Sequence, residues 1–191
     1  MARVTLGTLA EVAIDEATPW HHALLDALGD VPSLHYEREQ PDRQDPRSRL
    51  LIQQVPCQSV KGLREIQTGL HAREGELVDS RYGVRLVKSD EPRTLRLMSN
   101  SPCLEWLSWA LQLTLLQAQA CFVHGAGVEV DGQGVLLPSW GGVGKTAIAK
   151  HFVVNLGWRL LGDDLVILTD RGQCLGFPKP MVLYPYHRRQ F

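Results

Sequence analysis

The chain has 191 residues, 44% of them hydrophobic, and a formal net charge of -1. That is enough apolar material for one substantial core or two small ones, and the charge gives no electrostatic case for nucleic acid or an anionic membrane. The four cysteines, Cys57, Cys103, Cys121 and Cys174, are widely spaced and form no C-x-x-C pair. They indicate neither a zinc site nor a redox pair, and together with an N-terminus whose apolar runs are broken by Glu11, Asp15 and Glu16 they predict a cytoplasmic location.

In chain order, "PWHHALLDALGD" predicts a short amphipathic helix ending near Gly29. His21 and His22 in it are adjacent and so point in different directions, which suits a solvated pair rather than metal ligands. "EREQPDRQDPRSR", residues 37–49, is charged and broken by prolines, and predicts a linker. "LLIQQV" predicts a strand. Two more are expected around "ELVDS" or "YGVRLVK" and at "RTLRLM", the last two joined by "SDEPR". Their alternation of apolar and basic residues fits a half-exposed antiparallel sheet. Ser101 and Pro102 are expected to open a helix to about Ala118, with Ser101 as the cap. That helix is apolar nearly all round and is expected to be central. It is also too short and too often interrupted (Glu105, Gln112, Gln117) for a membrane span.

"CFVHGAGVEVDGQGVLLP" reads as two strands flanking the hairpin signal Asp131-Gly132. The second strand feeds Ser139-Trp140-Gly141-Gly142-Val143-Gly144-Lys145-Thr146, and a helix from Lys145 to about Asn155 follows. Strand, glycine loop, Lys-Thr and helix is the order a nucleotide phosphate cradle needs. Glycines let successive N–H groups face an anion, the helix start adds partial positive charge, Lys145 reaches the outer phosphates and Thr146 can ligate Mg²⁺. The competing account is a glycine-rich turn that happens to precede a lysine. Against it stand a strand and a helix on the correct sides of the loop. Trp140 could cover a nucleotide or pack on the protein surface. Beyond the helix, "WRLL" is a strand closing on Asp163-Asp164, followed by another strand, a turn at Asp170-Arg171-Gly172 and a third strand. A carboxylate after such a strand is where a P-loop protein directs a second group at Mg²⁺. A polar turn between strands is the plain alternative. His124 is expected to end its strand, where a histidine is more often structural than catalytic.

The run "VHGAGVEVDGQGVLLPSWGGVGKTAIAKHFVVNLGWRLLGDD" resembles the catalytic domain of the HPr kinase/phosphorylase family. The shared features are a His-Gly pair, a short hairpin, a loop ending in G-K-[ST], a helix, and an apolar strand closing on Asp-Asp. The interval from His124 to Lys145 matches without a gap. The resemblance covers about a quarter of the chain, residues 121–168. It implies an α/β fold, a P-loop-containing mixed sheet with flanking helices, truncated at the C-terminus, because "FPKPMVLYPYHRRQF" reads as mid-domain sequence.

The domain organisation expected is an N-terminal α+β region over 1–100 and a partial kinase-like domain over 101–191. The resemblance implies an ATP- and Mg²⁺-dependent transfer of the γ-phosphate to a serine-type hydroxyl of a peptide, protein or small molecule. Asp164 would be the proton acceptor, and Asp163 its neighbour in the Mg²⁺ and His124 network. Lys145 would stabilise the transferring group, and Thr146 with Asp163 would hold the metal. No nucleic acid or membrane partner is implied, and a homo-oligomer is compatible with it. Departures are Ser139 at the first loop glycine, Ala147 where the family often has Glu, and the absence before Phe191 of the family's later acidic ligand, arginine and proline-glycine signature. Residues 1–100 do not resemble the N-terminal domain of those enzymes, which argues for a different substrate. The alternative function is a regulatory or degenerate nucleotide-binding module without transfer.

Overall fold

A computed structural model describes residues 2–6, 9–14, 46–55, 60–140 and 142–177. The expected helix in "PWHHALLDALGD", the His21-His22 pair, most of the 37–49 linker, Cys57, Gly141 and the tail from Pro178 lie outside the described residues. The structure is mixed α/β and falls into two compact units, one up to Ala118 and one from Gln119.

Eight strands of the first unit form a sheet among the described residues: β1 (Ala2–Leu6), β2 (Ala10–Ile14), β3 (Ser48–Gln54), β4 (Arg64–Gln67), β5 (Leu70–Arg73), β6 (Glu76–Asp79), β7 (Val84–Lys88) and β8 (Thr94–Ser99), in the order β1-β2-β3-β8-β7-β6-β5-β4. The pairs β2–β3 and β3–β8 are parallel and the others antiparallel. The expected β7–β8 alternation is present: Val84, Leu86, Leu95 and Leu97 are buried, while Arg85 and Arg96 lie on the other face.

Helix α1 (Leu104–Gln117) starts later than the sequence suggests, with Cys103 and not Ser101 at its cap. The Ser99 hydroxyl donates to the Ser101 carbonyl at 2.8 Å, so Ser101 is engaged in a local turn. Nor is the helix buried all round. Trp106, Leu107, Ala110, Leu111, Thr114 and Leu115 are covered, against β3 and β8, whereas Leu104, Trp109 and Leu116 are exposed. Expected with the second region, α1 therefore packs with the first. Its Trp106 indole donates to Asp79 at 3.3 Å, and Arg81 donates to the same carboxylate from Nε, at 2.9 Å, and from its other guanidinium end, at 2.7 Å.

The second unit holds β9 (Ala120–Val130), β10 (Gln133–Pro138), α2 (Lys145–Leu156), β11 (Arg159–Gly162), β12 (Leu165–Thr169) and β13 (Cys174–Gly176). Each described strand pair here is antiparallel, so the expected mixed sheet belongs to the first unit and not to the one carrying the glycine loop. The reason lies in the connections: the hairpin β9–β10 and the return of β11 and β12 along β9 both reverse direction.

Candidate functional site

The site is assembled by strand register. Asp131 (φ 51°) and Gly132 (φ 76°) both take left-handed conformations, the requirement of a two-residue type I′ turn. That turn fixes β10 against β9 and places Pro138, the last residue before the loop, opposite Gly125. On the other edge of β9, Gly162 pairs with Gly127 and Leu165 with His124. These two pairings share one register, so Asp163 and Asp164 fall opposite Ala126 and Gly125. The Gly125 amide donates to the Asp164 carbonyl at 3.1 Å. His124 thus does not end its strand, as the sequence suggests. It sits inside β9, paired with Leu165 of β12 on one edge, one residue before the pairing with β10 on the other edge begins at Gly125.

The loop passes into α2 through Gly142 (φ 82°) and Gly144 (φ 94°), the latter at the helix cap. A side chain at either position would be strained, which is why glycine is needed there. Ala149 lets the helix approach Ala126 and Val128 closely, with Val135, Leu137, Phe152 and Leu160 around them. The helix ends at Gly157 (φ 71°), and the stacked pair Phe152 and Trp158, 4.5 Å between centroids, leads the chain into β11.

Five side chains converge as a result. The Lys145 ammonium, on a residue only 9% exposed, donates to the carbonyls of Ser139 at 3.2 Å and Trp140 at 3.3 Å, and meets His124 Nε2 at 3.3 Å. His124 Nδ1 faces Asp164 Oδ1 at 3.3 Å. The Thr146 hydroxyl donates to the Asp163 carboxylate, 3.0 and 3.2 Å from its two oxygens. The two carboxylates therefore divide differently from the expected network: Asp164, not Asp163, faces His124. They also differ in exposure. Asp163 is 5% exposed, while the side chains of Asp164 and His124 are 46% and 50% exposed. Trp140 is 86% exposed and does not pack on the protein surface. Val143 is exposed as well.

Sequence reasoning missed the backbone of Asp164, which is left-handed at φ 79°. A non-glycine residue there is strained, and strain of this kind gathers at functional sites. It missed Gly125 too: a Cβ there would lie 2.9 Å from the Leu137 carbonyl oxygen. The signal was present in the Gly125-x-Gly127 spacing of β9, because glycine inside a strand marks close backbone approach.

Among the described residues no three or more His, Cys, Asp or Glu side chains gather to hold a metal ion by themselves. The Thr146 hydroxyl and the Asp163 carboxylate are hard oxygen donors, the set that suits Mg²⁺ completed by phosphate and water oxygens.

A strand, a glycine loop and a helix thus gather a lysine, a hydroxyl and two carboxylates at the loop. No protein-family model matches the chain. It is similar to HPr kinase/phosphorylase of Streptococcus thermophilus, 36% identical over 80 residues, which are 41% of this chain and 25% of that protein. It is also similar to HPr kinase/phosphorylase of Chloroherpeton thalassium, 38% identical over 50 residues, 26% of this chain and 14% of that protein. The chain thus spans a quarter or less of the length of the curated relatives it matches. Among the described residues no helix is long and apolar enough to cross a membrane.

Proposed function

We propose that the second unit is the nucleotide-binding part of an ATP-dependent kinase that transfers the γ-phosphoryl group to a hydroxyl of a protein, peptide or small molecule. The observation that carries this reading is the chain of contacts Lys145–His124–Asp164, set beside the Thr146–Asp163 pair. The likeness to HPr kinase/phosphorylase supports it.

Residues 139–146 cradle the phosphates, Gly141 included. Lys145 turns from the loop carbonyls to the outer phosphate oxygens and neutralises charge there as the phosphoryl group moves. Thr146 and Asp163 hold Mg²⁺, which when bound supplies divalent charge against the phosphates. Asp164 is the half-exposed carboxylate and accepts the acceptor hydroxyl's proton as its oxygen bonds to phosphorus and the bond to the ADP oxygen breaks. His124 keeps the Asp164 carboxylate oriented. HPr, part of the name of the similar proteins, is the reference acceptor against which another hydroxyl acceptor is compared, because residues 1–100 do not resemble the N-terminal domain of those enzymes.

The test is calorimetry with ATP and Mg²⁺ alongside transfer of γ-labelled phosphate. Binding that is lost in Lys145→Ala, together with label on a hydroxyl acceptor, supports a kinase. Binding without transfer to any acceptor supports the regulatory module. Equal affinity of wild type and Lys145→Ala removes the nucleotide site.

A further inference from the structure

An ammonium has three N–H donors and no acceptor. In this structure the three are matched by three acceptors: the carbonyls of Ser139 and Trp140 and the ring nitrogen Nε2 of His124. The group that would grip a phosphate is therefore fully engaged by the protein. Because Lys145 can only donate, Nε2 must be the unprotonated nitrogen. Because a carboxylate accepts, the ring proton must sit on Nδ1, facing Asp164 at 3.3 Å. The two contacts on opposite sides of the ring thus give Nε2 the acceptor role and Nδ1 the donor role.

We propose that His124 is a positioning residue that stores Lys145 while the loop is empty and competes with phosphate for it. This rests on the kinase reading above and adds a sign to it: His124 opposes nucleotide binding even though it serves transfer. Arrival of the phosphates draws Lys145 off Nε2. Only then is the His124–Asp164 pair released from the lysine to meet a hydroxyl, so nucleotide precedes acceptor. The two carbonyl contacts belong to the loop backbone and cannot be removed by substitution, whereas the Nε2 contact can. His124 is half-exposed, so the fold does not depend on its bulk.

The experiment measures the affinity of a non-hydrolysable imido analogue of ATP, with Mg²⁺, for four proteins. His124→Ala and His124→Asn lack an acceptor at the Nε2 position; His124→Gln carries a carboxamide oxygen near it. Loss of one hydrogen bond from the empty state should tighten binding about two- to tenfold in the Ala and Asn variants. The Gln variant should stay near wild type, and transfer should fall in the Ala variant. Equal or weaker binding by the Ala and Asn variants overturns the proposal, since it makes His124 a bystander or a phosphate ligand. A second measurement needs no nucleotide. The ¹⁵N resonance of His124 Nε2 in the empty protein should shift in Lys145→Ala; an unchanged resonance overturns the storage contact. If wild type binds no nucleotide while that shift is seen, the kinase reading fails and the handover with it, but the lysine–histidine contact stands.

Discussion

The amide of Gly125 is bonded to the carbonyl of Asp164, 3.1 Å away, and on its other flank Gly125 lies opposite Pro138. One small residue therefore sits between the carboxylate pair and the entrance to the glycine loop. A Cβ here would meet the Leu137 carbonyl oxygen at 2.9 Å and Pro138 Cα at 3.1 Å, both backbone atoms that cannot swing aside. Gly125→Ala should lower stability by about 1–3 kcal/mol, the usual cost of overpacking, and should weaken nucleotide binding as well. Thermal melts of the purified protein, compared with Gly132→Ala as a turn control, would check this. An unchanged melt and an unchanged affinity would mean that the strands part without affecting the loop.

Asp164 invites the opposite experiment. Its left-handed backbone costs a non-glycine residue on the order of 1 kcal/mol. Asp164→Gly should therefore leave stability unchanged or raise it by up to about 1 kcal/mol, while transfer falls roughly 10²- to 10⁴-fold for want of the base. Asp164→Asn should keep nucleotide binding nearly intact with a similar loss of transfer. Wild-type transfer by either variant would exclude Asp164 as the proton acceptor.

In the proposed kinase, metal dependence would fall to the buried partner. Asp163 accepts from Thr146 and is nearly covered, so its charge is directed at the loop and not at solvent. Asp163→Asn should raise the Mg²⁺ concentration needed for half-maximal nucleotide binding, and removal of Mg²⁺ by chelation should weaken ATP binding more in wild type than in the variant. Titrations of affinity against Mg²⁺ concentration read this directly.

A pH effect is expected in the first unit. The side chain of Asp79 is 2% exposed, and the hydrogen bonds from Arg81, with lesser help from Trp106, hold its carboxyl below the usual range. A carboxylate depressed in the folded state stabilises above its unfolded pKa, and that contribution disappears as pH falls through the lower, folded value. Asp79→Asn should cost about 1–3 kcal/mol at neutral pH. The gap between the two proteins should narrow in acid, starting near the ordinary aspartate pKa of about 3.9. Urea unfolding at several pH values tests it, and a gap independent of pH would assign the effect to packing.

Some of this was legible in the sequence, for local reasons. Asp131-Gly132 specifies its own turn, and the glycines before Lys145 specify a loop that opens a helix. Asp164, three residues after "WRLL", falls beside His124 because a hairpin and a returning strand leave it little choice. Other parts had no local signal. Strand β4, Arg-Glu-Ile-Gln, is exposed throughout and shows no alternation of burial. The parallel pairing of β2, β3 and β8 joins segments far apart in the chain. Helix α1 is apolar on most sides, so its composition could not say which side is covered; contacts with β3 and β8 decide that. The division between the carboxylates was hidden for another reason. It depends on the left-handed turn at Asp164, which sends two adjacent side chains to different neighbours.

The shared register of β9 with its partners makes the distance from His124 to Lys145 a count of rungs. A single residue inserted into β10 would turn every later side chain to the opposite face and carry Pro138 off Gly125. The loop would then begin one step away from the histidine and the carboxylates. Matched additions, two in each strand beside the Asp131-Gly132 turn, would lengthen the hairpin outward, keep the turn on a hydrogen-bonded pair and leave the rung at Gly125 untouched. Length in this region can therefore change without harm only in pairs, and only at the end remote from the glycine loop.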